Sequence, residues 1–147
     1  MRYSAVLIIL IGLVAGCATA PTTTTAELTP FQAILSAAER PEEGVTGVFR
    51  MEVRGGGRQD DFLYLNSEAD YRDQRCLTLA LPQSAALALE HKLGGDPTVA
   101  LKGKTLRVTG TAKRTTIGFR NNGVMTDKYY YQTHVLITDP SQISIVP

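Results

Sequence analysis

A strict alternation of apolar and polar side chains begins at Val45, and this feature most limits how the chain can fold. Apolar residues occupy every second position as far as Val53, and polar or charged residues mostly fill the positions between them. Because successive side chains of a β-strand point to opposite faces, the pattern predicts a strand with one buried face. Similar patterns predict four more strands at 62–65, 76–81, 104–114 and 129–137, with a short edge strand at 144–146.

One helix interrupts these strands. Pro82 ends the third strand, Ser84 can cap a helix that continues to about Leu93, and Gly94-Gly95 terminates it. Turns are expected at Gly55-Gly56-Gly57 and, within a polar loop, at Asn121-Asn122-Gly123. Five strands with a helix between the third and the fourth is the order of the OB fold. The prediction for residues 45–147 is therefore an all-β, five-stranded OB-like Greek-key barrel.

Three short motifs lie within this region. Residues 66–73, 101–110 and 137–143 read NSEADYRD, LKGKTLRVTG and ITDPSQI. Together they resemble a family of small bacterial OB-fold domains that is common in envelope and exported proteins. The resemblance implies a fold rather than a ligand, because Gly103, Gly110 and Asp139-Pro140 are residues that shape turns and bends.

The amino terminus has the layout of a bacterial export signal. A basic start, Met1–Ser4, precedes an apolar run at 5–16, which is shorter than the roughly 20 residues of a membrane-spanning helix. Val14-Ala15-Gly16-Cys17 resembles the lipobox of bacterial lipoproteins. This resemblance implies removal of residues 1–16 as a signal peptide and attachment of lipid to Cys17, at the periplasmic face of the outer membrane if the host has two membranes. An ordinary secretory signal cleaved near residues 18–20 is the alternative.

Residues 17–44 are expected to form a lipid-anchored stalk. The threonine-rich stretch at 21–25 has too little apolar content to pack, and Thr29-Pro30 can cap and begin a short helix. The apolar stripe of that helix is expected to pack on the domain, with docking to a partner or to the bilayer as the alternative. The stripe consists of Phe31, Ile34, Leu35 and Ala38.

The sequence contains no recognisable set of catalytic or metal-binding residues. His91 and His134 lack metal-ligand spacing, and Cys76, outside any known nucleophile motif, is expected to be a buried free thiol. Acidic residues between positions 60 and 73 suggest calcium binding, but the arginines among them favour solvated ion pairs. We therefore expect a protein that is not an enzyme and that holds no cofactor or metal.

The charge of the chain and its expected location limit the classes of partner that we expect it to bind. With 15 Lys plus Arg against 14 Asp plus Glu, the chain lacks the basic surplus of most nucleic-acid-binding proteins. The expected function is a non-catalytic binding or adaptor module of the cell envelope, for a glycan or a protein. The alternatives are a structural or assembly lipoprotein and, less favoured, a single-stranded nucleic-acid binder. The candidate binding residues are Arg50, Tyr71, Arg107, Lys113 and Tyr130.

Overall fold

The protein is mostly β, and the computed structural model describes residues 26–147. Within these residues, eight strands form one mixed sheet that does not close, and three α-helices and one 3-10 helix accompany it. In chain order the elements are β1 (Glu27–Leu28), α1 (Pro30–Glu39), β2 (Val45–Glu52), β3 (Gly55–Gln59), β4 (Phe62–Asn66), β5 (Leu77–Pro82), α2 (Gln83–Leu93), α3 (Pro97–Ala100), β6 (Thr105–Asn121), β7 (Val124–Leu136), the 3-10 helix (Pro140–Gln142) and β8 (Ile143–Ile145).

The strand order is β1-β2-β6-β7-β5-β4-β3, and β8 pairs with β6. β1 runs parallel to β2 and β5 runs parallel to β7, whereas the other pairs are antiparallel. β2 and β3 follow each other in the chain but stand far apart in the strand order. The expected five-stranded barrel with one helix is not confirmed, because residues 26–147 form an open mixed sheet of eight strands.

Two segments that we expected to be turn or loop are strands. Gly55-Gly56-Gly57 begins β3 and pairs with β4, because ladder hydrogen bonds come from the backbone and need no side chain. Residues 115–120 and 124–128, expected to be a polar loop, extend β6 and β7 into a long hairpin. The predicted turn at its tip is confirmed, since Asn122 and Gly123 have φ angles of 49° and 80°, as a tight hairpin turn requires.

The core is built from alternating residues of the strands. Phe49, Met51 and Val53 are buried as the sequence predicts, and each is at most 2% exposed. Leucines of β4, β5 and α2 belong to the same core, at positions 63, 65, 77, 79, 81 and 89. The helix that the sequence predicted between the third and fourth strands, α2, therefore contributes to the core.

Helix α1 begins where the sequence predicts but buries a different face. Thr29 accepts a hydrogen bond from the Gln32 backbone N–H, and the Gln32 side chain accepts one from the Thr29 backbone N–H, which forms a capping box. Ala33 and Ala37 are fully buried, because small side chains let the helix backbone lie close to the sheet. The expectation that the stripe with Phe31 and Leu35 packs on the domain is wrong, since these side chains are 60% and 49% exposed.

The chain is fixed to the sheet from Glu27 onward. β1 pairs with β2, and the Glu27 carboxylate lies within ion-pair distance of both Arg50 and Arg107. Within residues 26–147 no helix is long and apolar enough to cross a membrane. The predicted signal peptide and lipidation site at Cys17 lie outside the described residues.

Candidate binding groove

A groove of about 680 Å³ opens between β3 and the hairpin of β6 and β7. β6 pairs with β2 only as far as Ala112, and beyond this point residues 115–121 pair with residues 124–132 of β7. We call residues 115–132 the projecting hairpin. It forms one wall of the groove, β3 forms the other, and β4, β5 and β7 provide the floor.

The floor carries a row of polar side chains on three neighbouring strands. Asn66 is the register partner of Thr78, and Thr78 is the register partner of His134. The Thr78 hydroxyl donates to Asn66 Oδ1 at 3.0 Å, and Asn66 and Thr78 are almost completely buried. The row therefore presents fixed hydrogen-bonding groups rather than mobile ones.

Three residues of β7 form a hydrogen-bonded series along the groove. Gln132 Nε2 donates to the Tyr130 hydroxyl at 2.8 Å, which turns Gln132 Oε1 towards His134 Nε2 at 2.7 Å. His134 Nε2 is then the donor, and burial lowers the pKa of His134, which favours the neutral ring. Because its oxygen already accepts a bond, the Tyr130 hydroxyl keeps its own proton to donate to a ligand.

Aromatic rings line the floor of the groove and the wall formed by the projecting hairpin. Tyr64 stands on β4 next to His134, with ring centroids 6.0 Å apart, and Tyr130 packs against Phe119 at 5.3 Å. Gly57 is the register partner of Tyr64, and a Cβ at Gly57 would meet no atom within 4 Å. The missing side chain leaves open space beside the Tyr64 ring, as a stacking platform requires.

The charged side chains that line the groove are all arginines. Arg58 comes from β3, Arg72 from the loop after β4 and Arg120 from the projecting hairpin, and no carboxylate is among the described lining residues. Arg58 reaches out to Glu90 and Asp96, and Arg72 pairs with Asp70. Arg120 makes no ion pair with any residue that the structure describes. The groove is therefore suited to an anion or to a hydroxyl-rich chain carrying negative charge.

The five candidate binding residues separate into three places. Tyr71 and Tyr130 both line the groove. Arg50 and Arg107 are register partners on β2 and β6, where both meet Glu27. Lys113 lies on β6, next to the floor strand β7, where it is the register partner of His134.

Sequence reasoning did not identify several residues of the groove. Tyr64 alternates with the buried leucines of β4, and Gln132 lies between Tyr130 and His134 with the same two-residue spacing. This spacing is a signal for one shared face of a strand. No such spacing marks Arg58 and Arg120, because both lie in segments that the sequence predicted to be turn or loop.

The acidic loop after β4 contains ion pairs. Asp70 pairs with Arg72 and Asp73 with Arg75, at 3.1 and 2.8 Å, as the sequence analysis favoured. The hydrogen bonds from Arg75 lower the pKa of Asp73 to about 2. Cys76 at the end of this loop is a buried free thiol, as expected. No cluster of three or more potential metal-ligating side chains occurs within residues 26–147.

No protein-family model and no curated protein sequence matches the chain. Among solved structures, the chain is similar to a crystal structure of a Leishmania major Friedlin protein provisionally named an aspartyl-tRNA synthetase. The sequence identity is 9% and the TM-score is 0.43. The match covers 88% of this chain but 22% of that chain, so this chain spans a small part of the larger protein. At this level of similarity the match carries no conclusion about function.

Proposed function

We propose that the protein is a lipid-anchored, non-catalytic binding module of the cell envelope, and that its groove holds a negatively charged glycan chain. The observation that carries this proposal is the composition of the groove lining. It combines tyrosine rings, a row of amide, hydroxyl and imidazole groups, and three arginines, without a carboxylate among the described lining residues. Rings pack on sugar faces, the polar row matches hydroxyls, and guanidinium groups match carboxylate, sulfate or phosphate.

The topology is compatible with an OB-like barrel. If β2 and β3 are counted as one strand bent at Val53-Arg54, this strand contacts both β6 and β4. The chain itself then links β3, at one end of the strand order, to β2, next to the other end. The groove then lies between the first and the last hairpin of the barrel. Proteins of the OB fold bind oligosaccharides and oligonucleotides at this place.

The envelope location rests on the lipobox-like residues 14–17. Lipid on Cys17 would tether the module to a membrane, where glycans are abundant and nucleic acid is scarce. A structural role within an envelope complex is the second candidate, and the exposed aromatic residues of the projecting hairpin favour it. Tyr129 and Tyr131 pack edge to face at 5.5 Å, and they are 59% and 41% exposed.

The test replaces Arg72, in the loop after β4, and Arg120, on the projecting hairpin, and measures ligand binding. We expect Arg72→Gln combined with Arg120→Gln to weaken binding of an anionic glycan such as heparin by about tenfold or more, because each charge-assisted hydrogen bond contributes about 1.5–3 kcal/mol. The matched control is Lys102→Gln with Lys104→Gln, which removes the same charge from exposed positions outside the groove lining. Isothermal titration calorimetry with each variant provides the affinities.

The same measurement separates the alternatives. Equal loss of affinity in both double variants would mean that binding follows net charge and would overturn the groove assignment. A neutral glycan and a single-stranded oligonucleotide serve as comparison ligands, and tighter binding of the oligonucleotide would favour the nucleic-acid alternative. Gly57→Leu should also abolish binding while preserving the fold, because the added side chain extends into open space beside Tyr64.

A further inference from the structure

Helix α1 leaves two large apolar side chains outside the core. Phe31 and Leu35 are four residues apart and therefore adjacent on one face of the helix, opposite the buried Ala33 and Ala37. They form an apolar patch that no residue between 26 and 147 covers. The patch is separate from the groove, because neither residue lines it.

A hollow of about 400 Å³ beside Phe31 brings three exposed arginines to this face. Its lining includes Arg50, Arg54 and Arg75 together with two glutamates. The side chains of the three arginines are 50–73% exposed, and the ion pairs that they make are weak in solvent. Each guanidinium is therefore exposed enough to contact a lipid phosphate while it keeps its carboxylate partner.

The place of α1 in the chain restricts what can lie against it. Glu27 is fixed to the sheet, and the ten residues from Cys17 to Glu27 span at most about 36 Å when fully extended. A lipid on Cys17 would therefore keep α1 close to the bilayer surface. Such a tether raises the effective concentration of the surface, so a weak contact is sufficient.

We propose that the outer face of α1 rests on a phospholipid surface, with Phe31 and Leu35 at the boundary between headgroups and acyl chains. Arg50, Arg54 and Arg75 then lie at the level of the lipid phosphates. An apolar face flanked by basic side chains is the arrangement by which interfacial helices bind membranes. The proposal rests on the lipid anchor of the proposed function. No residue lines both the hollow and the groove, so membrane contact leaves the groove open.

The absence of tryptophan from the sequence makes a direct test possible. Phe31→Trp places a single indole on α1, and Leu87→Trp places one on the exposed face of α2, where the native leucine is 54% exposed. Each lipidated full-length variant is reconstituted into vesicles of phosphatidylethanolamine and phosphatidylglycerol that contain brominated lipid. The mass of the Cys17 peptide establishes lipidation separately.

We expect the emission of the Phe31→Trp variant to shift to shorter wavelength and to be quenched by the bromines. Quenching should be stronger for bromines near the carboxyl end of the acyl chain than near its methyl end, because interfacial helices enter only about 5–10 Å. The Leu87→Trp control should show neither effect. Adding Leu35→Asp to Phe31→Trp should reduce the quenching at least twofold.

Three results would overturn the proposal. Equal quenching of both reporters means that lipid contact is not specific to α1, and quenching of neither means that α1 does not contact the bilayer. A blue-shifted emission of the Phe31→Trp variant before vesicles are added, unchanged afterwards, means that another part of the chain covers the patch. An unlipidated Cys17 removes the anchor and this proposal with it, whereas glycan binding in the groove is measured independently.

Discussion

The imidazole of His134 lies on the groove floor, and burial lowers its pKa from the ordinary value of 6.5. Above that pH the ring is neutral in both the folded and the unfolded chain. As the pH falls below 6.5, the unfolded chain binds a proton that the folded ring takes up only at lower pH, so the free energy of unfolding decreases. The stability that depends on neutral His134 is therefore complete above pH 6.5 and is lost on acidification.

The sign of this effect gives the first prediction at the residue scale. His134→Gln should make the free energy of unfolding less dependent on pH between about 7.5 and 5.5, as measured by urea denaturation. His91→Gln is the matched control, because His91 is the other histidine and is exposed on α2. If the two variants have the same pH dependence, burial of His134 does not affect stability in this range.

The hydroxyl of Tyr130 gives a second prediction. Tyr130→Phe keeps the ring against Phe119 but removes the donor that Gln132 orients, so binding of an anionic glycan should weaken by about three- to tenfold, as for the loss of one hydrogen bond. Tyr129→Phe, at a neighbouring exposed position that does not line the groove, is the control. Unchanged affinity of the Tyr130→Phe variant in calorimetry would exclude this hydroxyl from the site.

At the element scale, β1 is held by charge as well as by strand pairing. Glu27 sits between Arg50 and Arg107, which face each other across β2 and β6, and its side chain is 23% exposed. Like charges directly opposite in a sheet repel each other. The carboxylate therefore neutralises a repulsion that the long strands β2 and β6 would otherwise contain.

This arrangement predicts that Glu27→Gln loosens β1. The free energy of unfolding should fall by about 1 kcal/mol, and the amides that join β1 to β2 should exchange faster with solvent. Glu39→Gln, at the exposed end of α1, provides the control. Hydrogen exchange measured by NMR checks both variants, and equal protection of β1 in the two would contradict the assigned role of Glu27.

The elements that sequence reasoning missed share a physical cause. β3 is rich in glycine, and residues 115–128 are mostly polar, so neither has the apolar alternation that signals a half-buried strand. Both are strands because a neighbouring strand supplies backbone hydrogen bonds: β3 pairs with β4, and the two arms of the projecting hairpin pair with each other. These two segments are also the walls of the groove, which is why the site was only partly predicted.

At the scale of the whole molecule, α1 and β1 belong to the same core as the sheet. Ala33 is part of the core cluster, and Leu28 packs against it. A chain of residues 45–147 lacks both, and it exposes the apolar surface that they cover on the sheet. We expect it to be less stable than residues 26–147 by about 3 kcal/mol or more, since burial of one or two apolar side chains contributes this amount.

Urea denaturation of the two chains, followed by circular dichroism, measures the difference. A third chain with Thr29→Ala in residues 26–147 is a useful comparison, because it loses only the helix cap, at about 1 kcal/mol. If residues 45–147 are as stable as residues 26–147, α1 and β1 contribute nothing to the core.

The sequence by itself determined the mostly-β character, the bounds of α1 and α2 to within a residue or two, and the alternation that buries Phe49, Met51 and Val53. These features depend on local periodicity and, for α1, on capping, which neighbouring residues in the chain encode. The Ser84 cap expected for α2 is absent, since α2 begins after Pro82 without a side-chain cap. Only the tertiary structure decided the open eight-stranded sheet of residues 26–147, the placement of Tyr71 and Tyr130 in one groove, and the register pairing of Arg50 with Arg107. Those juxtapositions depend on strand register and on which face of α1 fits the sheet, and residues far apart in the chain fix both.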